Sequence, residues 1–403
     1  MTLDKTHRIA FVSEILHAGG ASIFLADLAG ELNRRNLTTR VFATKSDHPY
    51  KLDFEAAGVD VVLQDDRRLI WEDRIKATLA ALREFNPSVY VAVHGAAPFE
   101  IARYVPRELF KTGIILIDDD GNSQSLARYA KYFDTILCIS ALIQAKLKKM
   151  PEFAALPLHH FHGGAKMPAS VVGKCNDSGP LKILYFGRLE RSQKRVHLFP
   201  EILRGLVSSG IPFQWTIVGG GSERKNLEAN LKTSRPDQIV TIQGKVPARE
   251  LEELLSSHDV YLLASDGEGF PRSLLEAMGH GLVPVVTNLA SGVSEVVDDT
   301  TGRRVEVDDI AGYAQEIIFL HEHRPLLRQL SLAAQQRVQT GFSISSEADQ
   351  WETLIKHRPP VFGQWEADWN IQPPLGMEQS FFFSRTARSF KRPLKRLQSG
   401  LQS

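Results

Sequence analysis

The alternation of short apolar runs with helical patterns constrains the fold of this chain more than any other feature. Each run is almost continuously apolar, as strands of a parallel sheet buried on both faces are. Between the first two runs, residues 21–36 carry apolar side chains at helical spacing. The pattern therefore predicts a doubly wound α/β domain. The strand-like runs of the first half lie at 8–13, 39–43, 59–63, 88–93, 113–117 and 134–139.

The same alternation restarts after residues 166–180, a polar stretch rich in Gly, Pro and Ser that we interpret as a linker. The later strand-like runs lie at 181–187, 213–219, 238–244, 259–265 and 282–287. A chain of 403 residues also favours more than one domain. We predict an N-terminal Rossmann-like domain over 1–170, a second over 180–342, a helix within 343–360, and an irregular segment with a basic tail over 361–403. A return of the helix to the N-terminal domain is one option.

Composition argues against several classes of protein. The formal net charge of +1 gives no reason to expect a nucleic-acid partner. Cys138 and Cys175 lie far apart in no metal or redox spacing, which indicates a reducing compartment without disulfides. No uncharged apolar stretch approaches the roughly 18 residues of a membrane span, and no long apolar segment follows Met1. We therefore expect a cytoplasmic protein.

Two strand-to-helix corners have the composition of anion sites. In open α/β sheets, ligands bind beyond the carboxyl ends of strands, where amides at helix N-termini favour anions. Gly19 and Gly20 allow a ligand to approach the backbone, although a ligand-free flexible loop explains them equally. Arg188, followed by Lys194 and Arg195, offers cations suited to a diphosphate. A solvated basic loop is the alternative interpretation.

A third corner combines two carboxylates with a helix start. The loop 266-DGEGF-270 precedes Pro271, a favourable first residue of a helix, and glycines end that helix before the next strand. Glu276 is predicted on the polar face of the helix, with Glu268 in the loop before it. Both carboxylates can accept hydrogen bonds from the hydroxyls of a polyol, and the amides of 270–273 can meet a phosphate. Complementing the helix dipole would explain Glu268 but not Glu276.

The stretch EGFPRSLLEAMGHGLVPVV, with two glutamates eight positions apart, resembles the signature of retaining GT-B glycosyltransferases of family 4 (glycosyl transferases group 1). Other motifs occur in the order of that family, and the resemblance covers nearly all of residues 8–357. These motifs are Gly19-Gly20, His94, 185-YFGRLERSQK-194, 217-IVGGGSER-224, Gly244 and 292-GVSEVV-297. The fold implied is GT-B, an α/β class with two doubly wound Rossmann-like domains facing a central cleft.

The resemblance implies a retaining transferase that moves a sugar from a nucleotide-diphosphate-sugar to a saccharide or lipid-linked acceptor, in envelope or extracellular polysaccharide synthesis. The catalytic residues would be Glu268, which binds the donor sugar, and Arg188 and Lys194, which stabilise the leaving diphosphate. Because the interval before Lys194 is one residue longer than is common in the family, Arg195 is an alternative to it. The implied donor-binding residues are Gly19, Gly20, His94, Gly244, Val246, Gly269, Phe270, Pro271, Arg272, Ser273 and Glu276. Glu276 would bind the ribose. No resident cofactor or metal is implied, since the nucleotide-sugar is a co-substrate.

Three other functions are compatible with parts of the sequence. Asp118 and Asp120 follow a strand and form a candidate cation site, as in metal-dependent glycosyltransferases. An NAD-dependent oxidoreductase would carry a G-x-G-x-x-G fingerprint, and the best candidate, 219-GGGSER-224, has Arg224 in place of the third glycine. A non-catalytic partner subunit is the third, and the presence of both Glu268 and Glu276 argues against it.

A group of histidines and the basic tail stay open to two interpretations each. His159, His160 and His162 are candidate metal ligands, but no carboxylate or cysteine accompanies them in sequence, so we favour a structural role. In the tail, six bases and no acids follow Glu378. Within 381–401 apolar residues recur at spacings of three and four, which is the pattern of a basic amphipathic helix on an anionic membrane surface. A solvated, disordered tail explains the composition equally.

Overall fold

The computed structural model contains two parallel α/β sheets, one in each half of the chain. It describes residues 7–16, 19–45, 51–64, 70–117, 120–168, 178–232, 239–356, 358–372 and 375. The first sheet consists of β1 (Arg8–Ser13), β2 (Thr38–Ala43), β3 (Asp60–Leu63), β4 (Val89–His94), β5 (Phe110–Ile115), β6 (Thr135–Cys138) and β7 (Leu158–His160). Their spatial order is β3-β2-β1-β4-β5-β6-β7, and every pairing is parallel.

The second sheet repeats this arrangement with six strands. They are β8 (Leu181–Phe186), β9 (Phe213–Val218), β10 (Val240–Gln243), β11 (Val260–Leu263), β12 (Val283–Thr287) and β13 (Arg303–Val305). Their order is β10-β9-β8-β11-β12-β13. In each sheet the winding reverses beside the first strand, between β1 and β4 and between β8 and β11. Such switch points are where doubly wound sheets bind ligands.

Among the described residues, the first eleven α-helices lie between successive strands and the last three follow β13. They are α1 (Gly20–Arg34), α2 (Lys51–Ala56), α3 (Trp71–Phe85), α4 (Ala96–Ile101), α5 (Asp120–Ala127), α6 (Ala141–Leu147), α7 (Phe199–Ser209), α8 (Arg224–Lys232), α9 (Ala248–Ser257), α10 (Arg272–Gly279), α11 (Gly292–Val296), α12 (Ile310–Glu322), α13 (Arg324–Gly341) and α14 (Ile344–Ile355). Short 3₁₀ helices lie at Ala130–Tyr132, Pro151–Phe153 and Val196–Leu198. Of the described helices, none has both the length and the apolarity that crossing a membrane requires.

The predicted pair of doubly wound sheets is confirmed, with differences at three strands. β7 and β13 were not predicted because each has only three residues, too few for an apolar run to stand out. β5 begins at Phe110, three residues before the predicted run, because Lys111 and Thr112 interrupt the apolar pattern although both are buried in the fold.

The chain passes between the two domains at two adjacent points. The amide of Ala165 donates to the carbonyl of Phe342 at 3.0 Å, and the amide of Ile344 donates to the carbonyl of Ala165 at 2.8 Å. A Cβ at Gly164 would lie 2.4 Å from the carbonyl oxygen of Ser343, so this close approach requires glycine. The two passages therefore run side by side as a short parallel bridge.

The last described helix packs against the core of the first domain. Trp351 of α14 is fully buried, and its ring contacts those of Phe11 and Phe161 at centroid distances of 5.4 and 5.9 Å. Beyond α14, residues 358–372 run along the same domain and bury Trp369 and Ile371. The tail at 381–401 lies outside the described residues, so its helix stays a prediction.

The reactivity of the Cys138 thiol tests whether this residue is buried in the core of the first domain. Burial raises the pKa of this thiol to about 12, so only about one molecule in ten thousand carries the thiolate at pH 8. We expect Cys138 in a Cys175→Ser variant to resist a thiol-specific chromogenic reagent at pH 8 and to react fully in guanidinium. A Cys138→Ser/Cys175→Ser double variant supplies the blank. Stoichiometric labelling of the native protein within minutes would contradict this burial.

Candidate functional site

The loop after β8 packs directly against the glycine-rich loop after β9. The amide of Leu189 donates to the carbonyl of Gly220 at 2.9 Å, and the amide of Glu223 donates to the carbonyl of Leu189 at 3.0 Å. Gly219 has a φ of 149°, and a Cβ there would lie 1.9 Å from the carbonyl oxygen of Gly187. The glycines of 217–224 therefore allow two loops to meet backbone to backbone, which fixes the start of the loop that carries Arg188.

Arg188 lies at the carboxyl end of the second sheet with its side chain half exposed. Its guanidinium donates to Glu190 Oε1 at 3.0 Å and to Gln193 Oε1 at 2.7 Å. Gln193 Nε2 donates in turn to the carbonyl of Gly267 at 2.8 Å. These bonds connect the loop after β8 to the loop after β11, so that the predicted cation corner and the predicted carboxylate corner are neighbours.

Lys194 and Glu268 form a direct ion pair between these two loops. Lys194 Nζ lies 2.5 Å from Glu268 Oε1, and the two side chains are only 12% and 6% exposed. Arg195, the sequence alternative to Lys194, has a left-handed φ of 49° and directs its guanidinium to Asp308 instead. Of the two adjacent cations, Lys194 is therefore the one that meets the first glutamate of the motif.

Helix α10 has the orientation that the sequence predicts. It begins after Pro271 and buries Leu274, Leu275 and Met278 fully, as expected for its core face. Ser273 Oγ accepts a hydrogen bond from the buried hydroxyl of Tyr261 at 2.8 Å. The opposite face carries Glu276, whose side chain is 22% exposed.

An ion cluster connects α10 to the first domain, and we call Asp27, Lys166, Arg272 and Glu276 the interdomain cluster. Arg272 donates from Nε to Glu276 Oε1 at 2.7 Å and from Nη2 to Asp27 Oδ2 of α1. Lys166 Nζ lies 2.6 Å from the other oxygen of Asp27. Burial lowers the pKa of Arg272, but the carboxylates of Glu276 and Asp27 outweigh it and raise that pKa above its ordinary value.

The two glycines predicted at the first corner stand at the start of α1. A Cβ on Gly20 would lie 3.4 Å from Cβ of Arg272, whereas one on Gly19 would meet no atom within 4 Å. The structure therefore brings Gly20, Arg272 and Glu276 together across the domain boundary. Asp27 was not predicted, because a single acid within an amphipathic helix resembles any other polar position.

The other predicted donor residues are placed less directly. Phe270 is stacked on Phe342 at a centroid distance of 5.7 Å, and its partly buried ring packs against the cores of both domains. Gly269 abuts the carbonyl of Leu116 in the first domain. His94 ends β4, and its carbonyl accepts from the amide of Glu14 at 2.8 Å. Gly244 and Val246 follow β10, with Gly244 beside the guanidinium of Arg224.

At the candidate sites of the alternative functions, other groups of the protein contact the predicted residues. Asp120 begins α5 and pairs with Lys146 at 2.5 Å, while Asp118 lies outside the described residues. The glycine-rich stretch 219–224 packs against backbone, since a Cβ on Gly221 would lie 2.3 Å from the carbonyl oxygen of Leu189. That space is filled by protein, which argues against a dinucleotide at this loop.

Residues 180–323 match the family model described as glycosyl transferases group 1. The chain is 34% identical over 145 residues to the putative colanic acid biosynthesis glycosyltransferase WcaL of Escherichia coli K12, covering 34% of this chain and 35% of that protein. It is also 34% identical over 175 residues to the amylovoran biosynthesis glycosyltransferase AmsK of Erwinia amylovora, covering 41% and 42%. The matched segments thus span less than half the length of these two relatives.

The fold is similar to solved structures over a larger share of the chain. HepE of Anabaena in complex with UDP superposes with a TM-score of 0.73 at 16% identity, covering 87% of this chain and 100% of that one. The apo form of the lipopolysaccharide outer core galactosyltransferase WaaB gives a TM-score of 0.65 at 16% identity, with the same coverage. At these identities the likeness establishes the two-domain fold alone.

Removing Asp27 from the interdomain cluster should destabilise the protein. We expect Asp27→Asn to lower the free energy of unfolding by about 3–5 kcal/mol, because Arg272 and Lys166 lose a buried partner. Urea unfolding followed by tryptophan fluorescence measures the change. Asp60→Asn is the control, since its carboxylate is 75% exposed beside Arg40 and should change stability by about 0.5 kcal/mol or less. Equal stability of Asp27→Asn and the parent would show that the cluster is energetically neutral.

Proposed function

We propose that the chain is a retaining glycosyltransferase of the glycosyl transferases group 1 family, whose model matches residues 180–323, built on the GT-B fold. It moves a sugar from a nucleotide-diphosphate-sugar to a saccharide or lipid-linked acceptor. The observation that carries this proposal is the meeting of Arg188, Lys194 and Glu268 at the switch point of the second sheet, next to the helix that bears Glu276. Cations for a leaving diphosphate and carboxylates for sugar hydroxyls are thereby available on neighbouring loops.

The donor is proposed to lie along α10. Glu276 accepts hydrogen bonds from the ribose hydroxyls, and the backbone N–H groups of Phe270, Arg272 and Ser273 lie at the positive end of the helix, where a phosphate is favoured. Gly19 and Gly20 approach the diphosphate from the first domain, His94 borders the sugar, and residues 244–246 border the base. The HepE structures contain UDP and, in one case, UDP-glucose, so uridine-diphosphate sugars are the first donors to test.

The proposed chemistry depends on charge at the leaving group. Departure of the diphosphate develops negative charge on phosphate oxygen, and a preorganised donor aimed at that oxygen contributes about 3–4 kcal/mol. An ammonium has three donor hydrogens. One bond from Lys194 to Glu268 therefore leaves two for phosphate. The same bond holds the Glu268 carboxylate beside the donor sugar. The carboxylate then accepts hydrogen bonds from the sugar hydroxyls. No nucleophilic side chain of the protein is invoked: the acceptor hydroxyl attacks the anomeric carbon from the face that the phosphate leaves, and its proton passes to the departing phosphate oxygen.

The acceptor is proposed to bind the first domain, across the cleft from the donor. WcaL and AmsK are named for the synthesis of colanic acid and amylovoran, and WaaB for the outer core of lipopolysaccharide. We therefore favour a saccharide acceptor of the cell envelope or of an extracellular polysaccharide, carried on a lipid. A cytoplasmic enzyme with the basic tail at 381–401 resting on an anionic membrane surface would meet such an acceptor.

Loss of the proposed ribose ligand should weaken donor binding. A thermal-shift screen of UDP-, GDP- and ADP-sugars first identifies the donor, because a ligand that binds only the folded state raises the melting temperature. We then expect Glu276→Ala to weaken that donor by about 1–3 kcal/mol in calorimetry, the range for a lost charged hydrogen bond. Glu253→Ala is the matched control, because Glu253 is 67% exposed on α9. Unchanged affinity of Glu276→Ala would remove the ribose assignment.

The two cations should affect turnover more than donor binding. Arg188→Ala and Lys194→Ala should lower kcat by a larger factor than they raise KM, since charge on the diphosphate grows in the transition state. Steady-state kinetics with the identified donor measure both constants. Arg195→Ala is the comparison variant, because its guanidinium pairs with Asp308 instead of Glu268. A loss in Arg195→Ala as large as that in Lys194→Ala would contradict the assignment of the lysine.

Sugar transfer by the unsubstituted protein in a chelator separates this mechanism from the metal-dependent alternative at Asp118 and Asp120. If protein cations stabilise the leaving group, transfer should persist in excess EDTA, assayed well below the melting temperature. Complete loss of transfer in EDTA, restored by Mg²⁺ or Mn²⁺ but not by Zn²⁺, would favour the alternative.

A further inference from the structure

Two histidines of the first domain meet one glutamate of the second. His160 and His162 are two positions apart at and just beyond the end of β7, so their side chains lie on the same side of the extended chain. His160 Nε2 lies 2.9 Å from Oε2 of Glu295, a residue of α11, and the imidazole centroids lie 4.5 Å apart. One potential ligand atom from each of the three residues lies within 4.8 Å of the others.

The polar atoms at this junction lack aligned hydrogen bonds. His160 Nε2 and Glu295 Oε2 are buried 2.9 Å apart but are not aligned for a hydrogen bond, and the buried His162 Nδ1 has no hydrogen-bond partner among the described residues. Buried polar atoms without partners are uncommon and call for a ligand or water.

We propose that His160, His162 and Glu295 bind a divalent transition metal of the zinc class and thereby join the two domains. Two imidazoles and a carboxylate form a ligand set typical of zinc, whereas Mg²⁺ and Ca²⁺ prefer all-oxygen sets. Ligand atoms of one tetrahedral zinc ion lie about 3.4 Å apart, as follows from bonds of about 2.1 Å. The observed spacings, 2.9 Å for one pair and no more than 4.8 Å for any, bracket that value.

The second oxygen of Glu295 is already held in place. Glu295 Oε1 accepts a hydrogen bond from the amide of Ala141 at the start of α6, at 2.8 Å. Outer contacts of this kind orient carboxylate ligands and increase metal affinity. The amide explains one carboxylate oxygen and leaves Oε2 directed to the two histidines, so capping α6 does not account for the whole arrangement.

The proposed site is separate from the donor residues but connected to them through backbone. Glu295 lies on α11, whose first residue, Gly292, donates its amide to the carbonyl of Gly269 at 3.0 Å. Gly269 directly follows the catalytic candidate Glu268. A metal ion here would therefore stabilise the packing of the domains beside the donor loop without taking part in sugar transfer. The proposal does not depend on the proposed function.

Zinc binding by the full chain tests the proposal. Tag-free protein is stripped with a chelator, and Zn²⁺ is titrated in competition with a chromophoric chelator. We expect one Zn²⁺ per chain, and a melting temperature that rises on loading. Since losing an outer contact weakens metal binding by about 10–100-fold, losing a ligand in His162→Ala or Glu295→Gln should weaken it by at least about 100-fold. Cobalt substitution should give the absorption bands of a tetrahedral ion.

The controls separate a built site from surface histidines and from loss of fold. His159→Ala removes the exposed neighbour on the same strand and should bind zinc like the parent. Glu295→Gln retains an oxygen for the Ala141 amide, so the unloaded variant should stay folded, which a cooperative thermal unfolding transition checks. Absence of stoichiometric zinc in folded parent, or an equal loss of affinity in His159→Ala, would overturn the proposal. Loss of sugar transfer with zinc binding intact would instead count only against the proposed function.

Discussion

The buried guanidinium of Arg272 is the interaction on which the relation of the two domains depends. A charge with only 9% of its side chain exposed is stable only when paired, and Arg272 finds one carboxylate on its own helix and another on α1 of the other domain. Satisfying Arg272 therefore requires the domains to be together. Because one of those carboxylates belongs to Glu276, the same pairing sets the position of the proposed ribose ligand.

Backbone contacts made possible by small residues support this arrangement. The glycines after β9 let the loop after β8 lie directly on them, and Gln193 then connects that loop to the one after β11. The result is that three loops from different strands behave as one surface at the carboxyl edge of the sheet. The start of the loop that carries Arg188 is positioned by this backbone, and the side chains of Glu190 and Gln193 then hold its guanidinium.

The sequence was sufficient for features that depend on local pattern. Continuous apolar runs located most strands to within a few residues, and Pro271 with the apolar positions after it located α10 and its buried face. Features that depend on distant parts of the chain were not predictable. Asp27 has no local signal that it meets Arg272, and the histidines near β7 lacked a carboxylate in sequence because Glu295 approaches them only in the folded protein. The polar but buried Lys111 displaced the start of β5 for the same reason, since burial is decided by the neighbouring strands.

The parallel bridge at Ala165 and Ser343 determines which relative motions of the domains are inexpensive. Both passages of the chain are pinned to each other by hydrogen bonds, with Gly164 pressed against the opposite backbone. Sliding one domain past the other would stretch both bonds at once, whereas rotation about the line of the bridge leaves their lengths unchanged. These two hydrogen bonds therefore resist sliding of the domains and permit their rotation about the bridge.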